Sequence, residues 1–311
     1  MTASGCVTVH GELEVVPAAT KSEAAKALTD FTTAYNAADK AYDPALDADR
    51  VTGSLGAINQ AGLRARQKNN PNGNANHRPL ELTDATYLIP KKAGWPRWFL
   101  ANTDSNRDQD SGKQDTSWLI VFVRTGPDAV WKASYLAVVT PSELPAFAKD
   151  GDGRARPVTA DSTELALAPK DLSTQYTQYL QKGTPDVFAP GVATSAWRNE
   201  RRNSRRAGFS FQFIDQPLDS GTFGPLGLET EDGGALVFFS SKHFEQQTAA
   251  KGLRPSVNAD VQALLTGEVK TTLTKERVSS QLVYVPKKGA GNGAKVIVLN
   301  RLPGLTAAKG S

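Results

Sequence analysis

The chain is poor in the residues on which many protein chemistries depend. Its 311 residues include one cysteine, Cys6, one methionine and three histidines, His10, His77 and His243. A single thiol excludes an intramolecular disulfide and any zinc site built from several thiolates. The histidines lie far apart in sequence, and none has the HExxH-type spacing of a metalloprotease. No apolar run approaches the ~18 residues needed to cross a bilayer, so no transmembrane helix is predicted. A formal charge of +4 is too modest for a nucleic-acid-binding chain. Catalytic signatures are missing too: there is no Gly-x-Ser-x-Gly, no serine three residues before a lysine and no Walker-type Gly-Lys-Ser/Thr. The sequence therefore nominates no catalytic residue, no cofactor and no nucleic-acid partner.

What is present reads as a soluble globular body, with 39% hydrophobic and 22% charged residues. At 33.2 kDa it has room for two domains of ordinary size. Residues 1–160 carry 18 Lys+Arg against 18 Asp+Glu, and residues 161–311 carry 18 against 14. The basic excess thus lies in the second half.

The lone thiol follows Ala3-Ser4-Gly5. These small residues resemble the end of a bacterial lipobox, where a peptidase cuts before a cysteine already carrying a diacylglyceryl group. Such a site needs small side chains at the two positions before the cut and a thiol just after it. Two departures stand out: Ala3 occupies the position where the pattern prefers Leu, and only five residues precede Cys6 where a signal segment is required. The expectation is lipidation of Cys6, Met1 lying inside a longer precursor, and a protein held at the outer face of the cytoplasmic membrane. Two or more acyl chains anchor stably where one is marginal. The alternative is a cytoplasmic protein with Met1 as its true start and an inert cysteine.

Along the chain, residues 1–19 read as the anchor cysteine and a tether, with alternating apolar residues from Val7 to Val15. Thr20-Lys-Ser-Glu23 is a capping box that opens a helix with Ala24, Leu28, Phe31 and Tyr35 on one face. A second helix near Ser54 turns Leu55, Ile58 and Ala61 inward. Four strand-like segments follow, "LELTDATYLIP", "WPRWFLAN", "SWLIVFVR" and "VWKASYLAVVT", completing a first α+β domain over 20–147. A charged, glycine-rich stretch marks a linker over 148–168. The order then recurs in a second α+β domain over 169–302. A helix from Pro169 carries a stripe of Leu172, Tyr176, Tyr179 and Leu180, and a second helix runs through "TSAWRNERRNSRR". Strands follow at "GFSFQFID", "GALVFFSS", "VKTTLTKERVSSQLVYVP" and "AKVIVLN", with a short helix near 257–266 and a tail over 303–311. The tetrapeptides Ile89-Pro-Lys-Lys92 and Val285-Pro-Lys-Lys288 echo each other weakly across the halves. A helix pair packed on a curved antiparallel sheet resembles the cone of the nuclear transport factor two kind, here expected twice in tandem. Such cones either hold a small-molecule pocket or mediate contacts.

"GCVTVHGE", "VTGSLGAINQAG", "LELTDA", "KKAGWPRWF", "DGGALVFFSSKHF" and "LNRLPGLTAAKG" together resemble a family of uncharacterised actinobacterial secreted surface lipoproteins. The resemblance covers nearly the whole chain. It implies secretion and lipidation at Cys6, and brings no activity and no site residues.

Four features invite a functional reading. Arg198, Arg201, Arg202, Arg205 and Arg206 would cover about a 140° arc of one helix. That basic face is suited to phosphate or carboxylate, or equally to ion pairs at the surface. Asp104, Asn106, Asp108 and Asp110 alternate, with Asp115 at the twelfth place of a calcium-loop frame, although Gln109 stands where the turn requires Gly. Trp95, Trp98, Trp118 and Trp131 either fill a core or offer a sugar-stacking platform. "GAGNGAK" at 289–295 imitates a phosphate loop but sits between strands, so it is expected as a hairpin turn. The leading expectation is a non-catalytic binding or scaffolding protein of the cell envelope, contacting another envelope protein or an anionic polymer through the arginine face. The competing one is a small-molecule-binding or cyclase/isomerase-like cone, which a cavity of several hundred cubic ångströms holding a buried Asp or His would favour.

Overall fold

The computed structural model describes residues 14–109, 112–291 and 293–311. Cys6 and Asp110 lie outside the described residues. In chain order the elements are β1 (Val15–Pro17), α1 (Lys21–Ala41), α2 (Gly53–Asn69), β2 (Leu82–Leu88), β3 (Lys91–Ala93), β4 (Arg97–Ser105), β5 (Ser117–Arg124) and β6 (Lys132–Val139). They continue with α3 (Leu172–Lys182), α4 (Trp197–Asn203), β7 (Phe209–Leu218), β8 (Leu226–Glu229), β9 (Ala235–Ala249), α5 (Ala259–Ala263), β10 (Leu265–Thr266), β11 (Thr272–Val285) and β12 (Ile297–Gly310). The class is α+β, and among the described residues no helix is long and apolar enough to cross a membrane.

Local chemistry starts the helices where the sequence places them. Thr20 caps α1: its hydroxyl accepts from Glu23 N at 3.1 Å while its own N–H donates to Glu23 Oε2 at 2.7 Å. Helix α2 begins on Gly53 at φ +55°, where a side chain would meet Ser134 Oγ at 2.5 Å and Thr222 O at 2.7 Å. Only glycine lets the helix start that close to both halves of the chain.

The four strands β2, β4, β5 and β6 form an antiparallel meander. A second meander runs β7, β9, β11, β12, with β8 continuing the β7 edge along β9 and β10 added parallel to β12. Because side chains alternate across a strand, each sheet has two faces to bury. One face of the first sheet, with Phe99, Ile120 and Phe122, packs under α1 and α2. Its other face, with Trp98, Leu119 and Tyr135, meets Leu236, Phe238 and Leu282 of the second sheet. The far side of the second sheet, with Val237, Phe239 and Val283, packs under Leu172, Tyr176 and Leu180 of α3. The result is four layers, helix on sheet on sheet on helix. Central strands buried on both faces read as near-continuous apolar runs, which explains "WLIVFV" and "ALVFF".

Several expectations need correction. The second helix of the second half does not run through Arg206: it ends at Asn203, Ser204 is extended (ψ 109°), and Phe209 N bonds Arg206 O at 3.0 Å to turn into β7. Residues 303–311, expected as a tail, continue β12 to Gly310 because Thr274 and its neighbours on β11 offer a full pairing edge. The stretch expected as a linker is bonded to both halves, with bridges Pro90–Ala155, Pro157–Leu228 and Leu165–Lys287. The tetrapeptide echo follows the first strand of one sheet and the third of the other, so it marks no duplicated position. Even so, Pro90 O and Pro286 O accept alike from Ala18 N and Ala166 N, each at 2.9 Å, from the chain leading into each helix pair.

Candidate functional site

Beyond Phe239 the apolar run of β9 gives way to alternating polar residues, Ser241, His243 and Glu245, all on the face toward α4. Pairing brings Asp215 of β7 and Arg277 of β11 directly opposite His243. On β12, Arg301 sits opposite Gln281. Four strands thus contribute charged or polar groups to one patch, and α4 crosses it with Trp197 and Arg201.

Arg201 holds Asp215 in a bidentate pair, Nη1 to Oδ2 at 2.7 Å and Nη2 to Oδ1 at 2.8 Å. His243 Nδ1 lies 2.6 Å from Asp215 Oδ1, and its Nε2 lies 2.9 Å from Ser241 Oγ. Burial pushes the Asp215 carboxyl up, but hydrogen bonds from His243 and Arg201 overcome this and hold it below the usual carboxylate range. Burial lowers His243 to about 4 against the hydrogen bond to Asp215, with Arg301 and Arg201 adding like-charge repulsion. Burial thus opposes protonation of the ring, while Asp215 on Nδ1 favours it.

The Gln281 amide extends this chain of bonds: its nitrogen donates to the carbonyls of Phe239 and Ser279 at 3.0 Å each, and its oxygen accepts from Ser241 Oγ. Ser241 thus gives its proton to Gln281 and faces His243 Nε2 with its lone pairs.

Ser241, His243 and Asp215 follow the order of a hydrolytic triad. The likeness ends at access: Ser241 is 0% exposed, and Arg201 already occupies both oxygens of the acid. Its hydroxyl is a link in a buried chain of hydrogen bonds.

Two guanidiniums stack on Trp197, Arg201 at 3.7 Å and Arg301 at 3.4 Å from the ring centroid, while His243 stands edge-on to the same ring at 4.9 Å. Arg277 and Lys275 share one carboxylate, Glu245, at 3.1 and 3.2 Å. Arg301 is different. It is half-buried, its Nε is wholly buried without a hydrogen-bond partner, and no carboxylate among the described residues lies within 4.0 Å of it. Burial lowers it to about 10, and repulsion from Arg201 acts in the same direction. Together with Arg277, Phe211, Phe213 and His243 it lines an open cleft of 470 Å³.

The residues singled out from sequence fare unevenly. The five arginines do not share a face. Arg201 turns inward to Asp215 with only 8% of its side chain exposed, Arg202, Arg205 and Arg206 are exposed, and Arg206 stacks on Phe209 at 4.1 Å. Arg205 and Arg206 lie beyond the helix end, which removes the common arc. Asp104, Asp108 and Asp115 come together, their carboxylates within 4.8 Å of one another. Asn106 turns away, its amide donating to Pro79 O at 3.0 Å and accepting from Glu81 N at 3.1 Å. Asp108 accepts from Thr116 N at 2.7 Å, tying the β4–β5 loop. Trp98, Trp118 and Trp131 pack in or against the cores, and Trp95 carries Arg97 at 4.5 Å. Sequence reasoning missed Asp215, Ser241, His243, Arg277, Arg301 and Trp197; the available signal was the period-2 run of polar residues closing "GALVFFSSKHFE".

With this geometry in view, comparison with known proteins places the chain. Residues 15–310 match the family described as a domain of unknown function, DUF8094, and the chain belongs to that family. An uncharacterized lipoprotein of Streptomyces coelicolor is 53% identical over 312 residues, covering 100% of this chain and 92% of the relative. One from Streptomyces avermitilis is 51% identical with the same coverage. A second lipoprotein of S. coelicolor is 27% identical over 216 residues, 67% of this chain and 59% of its own. These relatives agree with the resemblance to actinobacterial lipoproteins read from the sequence. No solved structure matches the chain.

Proposed function

We propose that the protein is a lipid-anchored envelope protein, held on the outer face of the cytoplasmic membrane through Cys6, that binds a small anionic molecule in the cleft beneath α4. The observation that carries the ligand reading is Arg301, a half-buried guanidinium whose Nε is sealed off and which has no carboxylate within 4.0 Å among the described residues, opening on a cavity of 470 Å³. Withdrawing even part of an unpaired cation from water is unfavourable. Stacking on Trp197 offsets part of this, and a ligand carboxylate or phosphate would supply the rest through bidentate hydrogen bonds. The buried His243 in the cavity wall, backed by Asp215, supports the small-molecule reading over a filled contact module. The recurring order of a helix pair and a four-stranded meander supports cone-like units that hold a ligand between helices and sheet. The anchor is supported by the lipoprotein relatives and by the small residues before Cys6.

Calorimetric titration with inorganic phosphate, citrate and glycerol phosphate tests the cleft. At least one of them binds the native protein, and Arg301→Met weakens it tenfold or more, about 1.4 kcal/mol, with the circular dichroism spectrum unchanged. Binding of none, or equal binding by the variant, rejects the reading.

A further inference from the structure

A second cavity, of 380 Å³, lies on the other face of β12 from the cleft, between α1, α2 and the first sheet, closed at one end by β12 and α5. Its volume falls within the range of about 300–1,000 Å³ typical of small-molecule sites. Its walls are largely aromatic and aliphatic, among them Phe31, Tyr35, Ile58, Trp118, Leu302 and Leu305. The polar groups on its lining are few. Asn59 is committed to Asp47, and Asp260 accepts from Asn69 Nδ2 at 2.8 Å.

Arg66 is the exception. Its side chain leans back along α2 toward the helix start, as helical side chains do, and lies over Gly62. A Cβ on Gly62 would sit 3.3 Å from Arg66 Nη1, and both residues line the cavity. The bare glycine therefore makes the shelf on which the guanidinium rests at the cavity wall. Arg66 Nε is buried without a hydrogen-bond partner, Tyr42 lies 5.5 Å from the guanidinium carbon, and no carboxylate among the described residues is within 4.0 Å. A largely apolar cavity, with one carboxylate on its lining, Asp260, turned to Asn69 and one guanidinium outside ion-pair distance of it, suits a ligand with an apolar body and a single negative head held at Arg66.

We infer that this cavity is a binding site for an amphipathic monocarboxylate, its chain or ring lying among Phe31, Trp118 and Leu302 and its carboxylate held by Arg66. The site is independent of the cleft beneath α4, sharing none of its lining residues.

Calorimetry with decanoate, decanol and decylamine, each below the concentration at which it self-associates, tests the assignment. Decanoate binds the native protein at least tenfold more tightly than decanol or decylamine, and octanoate binds more weakly by about fourfold for each methylene removed. Arg66→Met brings decanoate down to the decanol level and leaves decanol unchanged. Leu264→Trp, which fills the half-buried end of the cavity, weakens both. Arg301→Met changes neither, so failure here and failure of the anionic cleft are read separately. No binding of decanoate, a carboxylate preference that survives Arg66→Met, tighter binding of decylamine, or undiminished binding by a folded Leu264→Trp protein would each overturn the inference.

Discussion

Burial shifts His243 and Asp47 in opposite directions, and the acid stability of the protein depends on both. His243 is lowered by burial to about 4, so between its ordinary value of 6.5 and that point the unfolded chain binds more protons than the folded one. The stability tied to it is full above pH 6.5 and is lost as the pH falls toward 4. Asp47, 0% exposed, is raised by burial to about 6 from 3.8, against hydrogen bonds from Asn59 and Gln60. Its contribution has the other sign: full below pH 3.8 and lost as the pH rises through 6. Each shift corresponds to about 3 kcal/mol at most. Between pH 4 and 6, Asp47→Asn therefore makes stability rise more steeply with pH than in the wild type, and His243→Asn makes it rise less steeply. Urea midpoints at successive pH values check this, and parallel slopes in all three proteins would refute it. None of this was legible from residue identity, because a pKa is set by what surrounds the group after folding.

At the scale of elements, strand β9 joins the two halves. Its even residues Leu236 and Phe238 enter the core shared with the first sheet, where Phe238 meets Tyr135 at 5.7 Å between ring centroids. Its odd residues Val237 and Phe239 lie under α3. Phe238→Ala is expected to destabilise the protein by about 3–5 kcal/mol. Both halves should still unfold in one transition, seen as coincident fluorescence and circular dichroism curves; separate transitions would show that the sheets are not coupled. Helix α1 and the strand segments were readable because capping boxes and period-2 patterns are local. The end of α4 was not. The arginine run continues helical spacing to Arg206, but a buried pair drew Arg201 inward and the turn into β7 stopped the helix at Asn203.

At the scale of the whole molecule, the proposed position of the chain at a membrane rests on Cys6. In an actinobacterial host expressing the gene with its upstream region, metabolic labelling with palmitate is expected to mark the wild-type protein and not Cys6→Ser. Absence of label on the wild type, or label that survives the substitution, would end the anchor proposal. The membership in a lipoprotein family, the α+β class, the order of the helices and most strands followed from the sequence itself, since composition, capping and hydrophobic period act over a few residues at a time. Tertiary structure alone decided that the two sheets pack face to face and that Asp215, His243, Arg277 and Arg301, spread over four strands, converge beneath Trp197. It likewise decided that Arg66 rests over Gly62 beside an apolar cavity. Strand register sets which side chains share a face, and a slip of one residue would reverse it. That register depends on pairing between distant segments, which no local pattern encodes.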